Sequence, residues 1–371
     1  MRTNGANRAP RCMLAGGILW LSMGIAAAKP DQPQIVNAKL ETRTVAQNLE
    51  TSVAQIEGEQ VQPGWISYSV DAVAGNHSVC CGSDRGHNSN GSCGTCNLEK
   101  ERGNSVGQRS GNRTVKLEGT EQLIVLLRIE GKRVTRIRVA SKECTLDAGG
   151  LRVVWLSGVK PEESVALLKK YVEAGDFDER NGHGLSEEAL TAIAFHADSS
   201  ADRAFASFVA AGQSADLREK ASFWLGAARG KVGLALLEKM AKSDPSAHVR
   251  EQVAFALSVS QEPQALEQMI RMAHEDADTH VRGQALFWLA QKAGKKAESA
   301  IAGAIQSDPD TEVKKKAVFA LSQMPKDEGV PKLIEVAQSN KNAAVRKQAM
   351  FWLGQSEDPR ALAFFEKILS Q

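Results

Sequence analysis

The side chains best suited to chemistry crowd into one stretch rich in Gly, Asn and Ser, residues 75–112, which holds Cys80, Cys81, Cys93, Cys96, His77 and His87. Cys144 lies further on. Three chemistries fit these residue types. In an oxidising compartment the thiols would form disulfides, which staple a loop too polar to order itself by removing entropy from the unfolded chain. Adjacent Cys80 and Cys81 can hardly pair with each other, so each would reach Cys93, Cys96 or Cys144 and leave one odd thiol. A zinc site would take Cys80 or Cys81, Cys93, Cys96 and one of His77 and His87, but one CxxC pair is a weak signal where a zinc ribbon has two. A redox dithiol at Cys93-Gly-Thr-Cys96 would need a helix N-terminus to stabilise its thiolate, and Asn, Gly and Ser surround it instead. Disulfides are therefore the leading expectation.

The start of the chain sets the compartment. Arg2, Arg8 and Arg11 precede an apolar run from Met13 to Ala28 that ends in Ala26-Ala27-Ala28, the layout of a secretory signal peptide over residues 1–28. The run is shorter than the roughly 20 residues a membrane-spanning helix needs, and no later segment is continuously apolar over such a length. The mature protein is expected to be soluble and exported, in the periplasm or outside the cell. Losing the three arginines takes the formal net charge from +2 to about −1. The remaining Lys and Arg are interspersed with acids, so no basic stripe suited to a nucleic acid remains.

The elements that must position any site divide near residue 160. Residues 29–60 read as a linker or short helix. Residues 61–158 read as a small β-rich domain: Trp65–Val70, Thr114–Leu117, Gln122–Ile129, Arg133–Ala140 and Leu151–Leu156 are rich in β-branched and aromatic residues, and Glu130-Gly131-Lys132 suits a hairpin turn. Residues 160–371 are governed by a motif that returns every 32 residues: LREKASFWLG from Leu217, VREQVAFALS from Val249, VRGQALFWLA from Val281, VKKKAVFALS from Val313 and VRKQAMFWLG from Val345. Its first, fifth and ninth positions are apolar and fall on one helical stripe. A preceding helix repeats the column Phe205, Leu237, Met269, Ile301, Leu333 and Phe365, and turn residues such as Ser243-Asp244-Pro245 and Ser307-Asp308-Pro309 separate the two. Extending the period backwards adds Pro161–Glu173 and Leu185–Ala197. The fold class expected is mainly α: a solenoid of about six helix pairs, closed by a cap helix over Asp358–Gln371 and preceded by the small Cys-containing β domain.

These units resemble the HEAT repeat, in the short bacterial form of phycobilisome-lyase-like HEAT proteins with their DPxxxVRxxAxxALG pattern; Asp244–Ser258 and Asp308–Ser322 match best. The resemblance implies that the row Arg218, Arg250, Arg282, Lys314 and Arg346 lines up between repeats and bonds to acids of the inter-helix turns, so its role is structural. Deoxyhypusine hydroxylases of this superfamily bind two irons through several His-Glu pairs; here only His274-Glu275 has that form. His248 and His280 lie 32 apart and could bring two imidazoles together, although a solvated turn position suits both better. Bilin lyases of similar repeats work inside the cell, against the export signal.

A longer period of 64 sets Phe223-Trp224, Phe287-Trp288 and Phe351-Trp352 between Phe255-Ala256 and Phe319-Ala320. Each Trp is expected to fill the space left by an Ala of the adjacent repeat; the rival is an exposed aromatic ladder that captures a ligand. No GxSxG, HExxH or phosphate-binding glycine loop occurs. The expectation is a non-enzymatic scaffold without a cofactor, holding a protein partner through polar positions of the second helices: Glu219, Lys220, Glu251, Gln252, Gln284, Lys315, Lys316, Lys347 and Gln348. The alternative is a metal-dependent or redox enzyme, lyase or oxidoreductase, with its site in the Cys-rich loop.

Overall fold

The computed structural model describes residues 32–74, 95–99, 122–175, 177, 184–292 and 294–370. The expected strand at Thr114–Leu117 lies outside them. The N-terminal part is a five-stranded sheet in the order β2-β8-β3-β5-β6, made of β2 (Lys39–Thr44), β3 (Gly64–Asp71), β5 (Gln122–Glu130), β6 (Arg133–Ser141) and β8 (Arg152–Ser157). Strand β8 runs parallel to both β2 and β3, whereas β3, β5 and β6 form an antiparallel meander. Gly131 and Lys132 join β5 to β6 with φ of 59° and 60°, the left-handed pair that a two-residue hairpin turn of matching twist requires. A second small sheet orders β1 (Ile35–Val36), β7 (Leu146–Asp147) and β4 (Cys96–Asn97).

Residues 29–60, expected as a linker or short helix, hold helix α1 (Leu49–Glu59) and also strands β1 and β2. Strand β2 carries one apolar residue, Leu40, which is itself exposed, so no hydrophobic alternation marks it. Edge pairing to β8 and ion pairs hold it: Arg152 to Glu41 at 2.7 Å and Arg43 to Glu59 at 2.8 Å.

Strand β5 is apolar on both faces because both are covered. Leu123, Val125, Leu127 and Ile129 join the helices in one core, while Ile124 and Leu126 face Trp65, Leu98, Cys144, Leu146 and Trp155 in another. The first core continues without a break from the sheet through every helix of the array. The β6 edge of the sheet is closed by carboxylates: Val134 N–H donates to Glu57 of α1 and Ile137 N–H to Glu188. Sheet edges left bare invite pairing with other chains, and these two acceptors deny it.

The array comprises α2 (Pro161–Glu173), α3 (Leu185–Ala194), α4 (Ser199–Phe208), α5 (Ala215–Ala228), α6 (Gly230–Ser243), α7 (Ala247–Val259), α8 (Gln264–Glu275), α9 (Thr279–Lys292), α10 (Lys295–Ser307), α11 (Thr311–Gln323), α12 (Lys326–Ser339), α13 (Ala343–Gln355) and α14 (Pro359–Leu369). The odd-numbered helices from α5 to α13 are the second helices of the repeat. Each starts on a capping side chain, from Ser214, Ser246 and Asp278 to Asp310 and Asn342, that accepts from backbone N–H groups of the first turn. Their stripe is buried: Val249, Val253 and Leu257, and the same positions in the following repeats, are at most 1 % exposed. Burying each such Leu or Val contributes about 1.5–3 kcal/mol.

The column on the first helices is equally buried from Phe205 to Leu333. At α14 it slips by one residue: Phe364 is buried and Phe365 only partly so. Second helices lie side by side along most of their length, closely enough that a Cβ on Gly226 would stand 2.0 Å from the Ala256 carbonyl oxygen. First helices touch their neighbours far less.

Candidate binding surface

Two features repeat along the second helices. One is a ladder of ion pairs at their N-terminal ends. Arg218 donates from Nε and Nη2 to Asp244 at 2.8 and 3.1 Å, Arg250 to Asp276 at 2.8 and 3.0 Å, and Arg282 to Asp308 at 2.8 and 3.1 Å. Each pair spans 26 residues and ties a helix to the turn of the next repeat. The third donor group, Nη1, meets a carbonyl of the arginine's own turn, Asp244 O for Arg250 and Asp276 O for Arg282, both at 2.8 Å. Hydrogen bonding to the carboxylate raises the pKa of Arg250 and Arg282 above the ordinary arginine value. The side chains of Arg218 and Asp244 are 6 % and 2 % exposed, so this rung is a satisfied buried pair rather than an anion site. Arg346 keeps the carbonyl bond, to Asn340 O at 2.7 Å.

The ladder breaks at Lys314. Its Nζ donates to Gln306 O at 3.1 Å, and the residue 26 positions on is Asn340 instead of Asp.

The other feature is aromatic. Phe195 meets Trp224 edge to face at 5.4 Å, Trp224 meets Phe223, and Phe223 stacks on Phe255 at 5.8 Å. Phe255 then meets Trp288 at 4.7 Å, Phe287 stacks on Phe319 at 6.2 Å, and Phe319 meets Trp352, which packs on Phe351. Each Trp lies against the Phe of the preceding repeat; for Trp288 and Trp352 that repeat carries an Ala, Ala256 or Ala320, at its own Trp position. Yet the strip is not sealed: the rings from Phe223 to Trp352 are partly exposed, and Phe351 is 54 % exposed. Edge-to-face and stacked geometry stabilises such pairs by about 0.5–1.5 kcal/mol beyond area burial.

The polar positions expected to touch a partner flank this strip. Gln284 and Lys347 are exposed; Glu219, Lys220, Glu251, Gln252, Lys315, Lys316 and Gln348 are half-buried. Several are engaged: His248 sits 3.5 Å from Glu219 and 3.8 Å from Glu251, Lys315 pairs with Glu312 at 3.0 Å, and Lys316 Nζ lies 3.4 Å from His280 Nδ1. Burial pushes Glu219 above the ordinary carboxylate range. His248 and His280 therefore turn to separate partners rather than to a shared ion. One set of residues escaped the sequence reading: Gln291, Gln323 and Gln355, all exposed, follow Phe287, Phe319 and Phe351 by four positions, one helical turn away. Their own 32-residue spacing was the signal.

A buried polar chain also went unforeseen. Tyr68 of β3, Ser164 of α2 and His196 after α3 are each 0 % exposed. His196 Nδ1–H donates to Ala192 O at 2.8 Å, which leaves Nε2 to accept from Ser164 Oγ–H at 2.8 Å, whose oxygen accepts from Tyr68 O–H at 2.9 Å. Burial lowers the His196 pKa to about 4. A serine beside a histidine suggests a nucleophile and its base. Here the second ring nitrogen meets a carbonyl rather than a carboxylate, and all three groups are sealed from solvent, so the chain locks sheet to array. Arg229 reinforces the joint, donating to His196 O at 2.6 Å and to Asp202.

Of the thiol and metal candidates, Cys80, Cys81, Cys93, His77 and His87 lie outside the described residues. Cys96, in β4, is disulfide-bonded, and its pairing falls outside them too. Cys144, expected among the disulfide candidates, is a buried thiol whose pKa burial raises to about 11. Among the described residues no group of three or more His, Cys, Asp or Glu is placed to hold a metal ion, and no helix is long and apolar enough to cross a membrane.

Residues 188–290 and 297–371 match the family model for HEAT repeats. Similar solved structures include human deoxyhypusine hydroxylase in complex with glycerol, at 16% identity over 56% of this chain and 90% of that one, TM-score 0.26. The complex of CpcE and CpcF of phycocyanin lyase from Nostoc sp. is similar at 24% identity over 42% of this chain and 99% of that one, TM-score 0.32. A mutant of Kap121p is similar at 13% identity over 53% and 27%, TM-score 0.32. No curated protein matches the sequence.

Proposed function

We propose that this HEAT-repeat protein is a non-enzymatic scaffold that holds a protein partner along its second helices, in the cell envelope or the secreted space. The observation that carries the reading is the aromatic strip, which runs through successive repeats and stays partly open to solvent although the rest of the repeat core is sealed. Half-open aromatic rings flanked by polar side chains are the composition of a recognition surface. The glutamines one turn beyond the rings add amide donors and acceptors suited to a partner's backbone. The array, read as six pairs closed by α14, extends such a surface without needing a pocket. Export is supported by the leader-like residues 1–28 and by the disulfide at Cys96. That same disulfide weighs against the metal or redox alternative, which asks Cys96 for a thiolate.

Site-specific photocrosslinking in envelope extracts tests the reading. A benzophenone side chain at Gln284 or Lys347 should give discrete protein adducts, and one at Lys239 or Lys296 on the first helices should give none. Equal capture from both sides, or no adduct from any, would overturn it.

A further inference from the structure

A cavity of about 420 Å³ opens at the broken rung of the ion-pair ladder, between α10 and α12, with Lys314 and Asn340 in its wall. In the intact rungs the aspartate divides its labour. Asp244 Oδ1 accepts from Ser246 N–H at 2.9 Å and from Arg218 Nη2, while Oδ2 accepts from Arg218 Nε at 2.8 Å. Asp276 and Asp308 repeat the pattern with Asp278 N–H and Asp310 N–H. Asn340 keeps the first half only: its Oδ1 accepts from Asn342 N–H at 2.9 Å. That bond fixes the amide orientation and sets Nδ2, a donor, where the other rungs present an acceptor.

The fourth rung therefore brings donor to donor. The Lys314 ammonium carries three N–H groups, and among the described residues no carboxylate lies within ion-pair distance of it. Lys341 and Lys332 line the same cavity; Lys332 is shared between Glu335 at 3.0 Å and Glu298 at 3.7 Å. Ala302, Ile305, Leu321 and Val336 give the lining its apolar part, and its one carboxylate, Glu335, is already paired with Lys332. A groove of about 690 Å³ at the second rung, between α6 and α8, shows the contrast: its rung cation, Arg250, is neutralised by Asp276 within the groove wall, and Arg271 there pairs with Glu238.

We propose that this cavity binds a small carboxylic acid with an apolar stem, whose carboxylate takes the place of the aspartate missing from the fourth rung. The head accepts from Lys314 and from Asn340 Nδ2, and the stem lies on Ile305 and Val336. A cationic head site beside an aliphatic wall, in a volume within the usual range for ligand pockets, selects for that chemistry over a bare anion or a neutral alcohol.

Calorimetric titration of the full chain with hexanoate tests it. Saturable binding with a Kd on the order of millimolar is expected, with hexanol at the same concentration giving none. Asn340→Asp supplies the carboxylate internally and Lys314→Gln removes the cation, and each should weaken hexanoate binding at least about tenfold, a loss of about 1.4 kcal/mol. Thermal melts confirm that both variants are folded. A readout without any variant is acylation of lysines by a soluble amine reagent, in which hexanoate should protect Lys314 and leave Lys239 unchanged. Absence of saturation, binding indifferent to both substitutions, no protection of Lys314, or phosphate binding as tightly as hexanoate would each overturn the assignment.

Discussion

The two edges of the second helices are built on opposite terms. At the turn edge every intact rung is closed: Arg218, Arg250 and Arg282 each spend their guanidinium on an aspartate and a carbonyl, leaving little for an outside ligand. Along the aromatic strip the rings also meet one another, but their outer surfaces remain in reach of solvent, up to the 54 % exposure of Phe351. Polar groups that are buried must be satisfied within the fold, and so become structure. Apolar surface can stay half open at modest cost, and so remains available for recognition. Repetition alone thus does not separate scaffold from surface; satisfaction does.

The comparison predicts its largest effect at the closed edge. Asp308→Ala would strand Arg282 with no carboxylate in a site where its side chain is 8 % exposed. Breaking such a pair costs about 3–5 kcal/mol, and urea unfolding should show a lower midpoint with an unchanged slope. A loss below about 1 kcal/mol, the scale of an exposed pair, would remove the distinction between the two edges.

A second closed region, the Tyr68–Ser164–His196 joint, makes a prediction about pH. His196 is held neutral in the folded state with a pKa of about 4, against about 6.5 unfolded. A depressed pKa means the unfolded chain takes up the proton first, so this stability is present above pH 6.5 and is lost as pH falls toward 4. Between pH 7 and 5 the loss is about 2 kcal/mol by linkage. Arg229, Tyr68, Ser164 and Asp198 are the groups around the ring; burial raises the Tyr68 pKa and hydrogen bonding to Ser200 lowers that of Asp198, which moves both further from this window. His196→Gln should flatten the difference between the two pH values; an equal loss in both proteins would assign it to the carboxylates instead.

The fate of each sequence expectation follows from which force held the residue. Stripes of buried Val, Ala and Leu were legible because hydrophobic burial imposes a period, and the 32-residue motif names the second helices from α5 to α13. The Arg row was legible through family resemblance, with Lys314 marked as its exception. That Asn340 shares the exception was not, since the link is a 26-residue offset set by how one repeat lies on the next. Strand β2 escaped because hydrogen bonds and ion pairs hold it, and neither leaves a hydrophobic trace. The slip of α14, where Phe364 replaces Phe365 as the buried ring, could not be read from a period it breaks. His196 gave no signal at all: a lone histidine looks the same in sequence whether exposed or sealed.

Closing the open rung should move stability the other way. Joining Lys314→Arg with Asn340→Asp recreates the geometry of the other rungs in a half-buried setting, worth up to about 1 kcal/mol for a partly screened pair. The double variant should melt higher than wild type by more than the sum of the single changes: Asn340→Asp alone gives the Lys314 ammonium a point-charge partner, and only arginine's fork meets both carboxylate oxygens and the turn carbonyl as in the intact rungs. Additive singles would mean that the fourth turn does not superpose on the first three.

The smallest effect on stability belongs to the strip, and there the contrast is sharpest. Phe351 stands at the open end of the strip with over half its surface already in water, so Phe351→Ala should change stability by no more than about 0.5 kcal/mol. Phe287, sandwiched between Trp288 and Phe319, should cost about 2 kcal/mol when truncated, short of a fully buried Phe because one face of the strip is open. If recognition uses the strip, capture of the partner by a crosslinker at Lys347 should fall several-fold in Phe351→Ala while the melting curve stays put. Phe351→Ala that melts as low as Asp308→Ala would show the ring to be core after all, and the two edges to differ only in chemistry. An unchanged melt with unchanged capture would leave the ring exposed but move the partner off the strip. Separation of the two readouts, binding lost and fold kept, is the signature of a surface that the fold can afford to leave open.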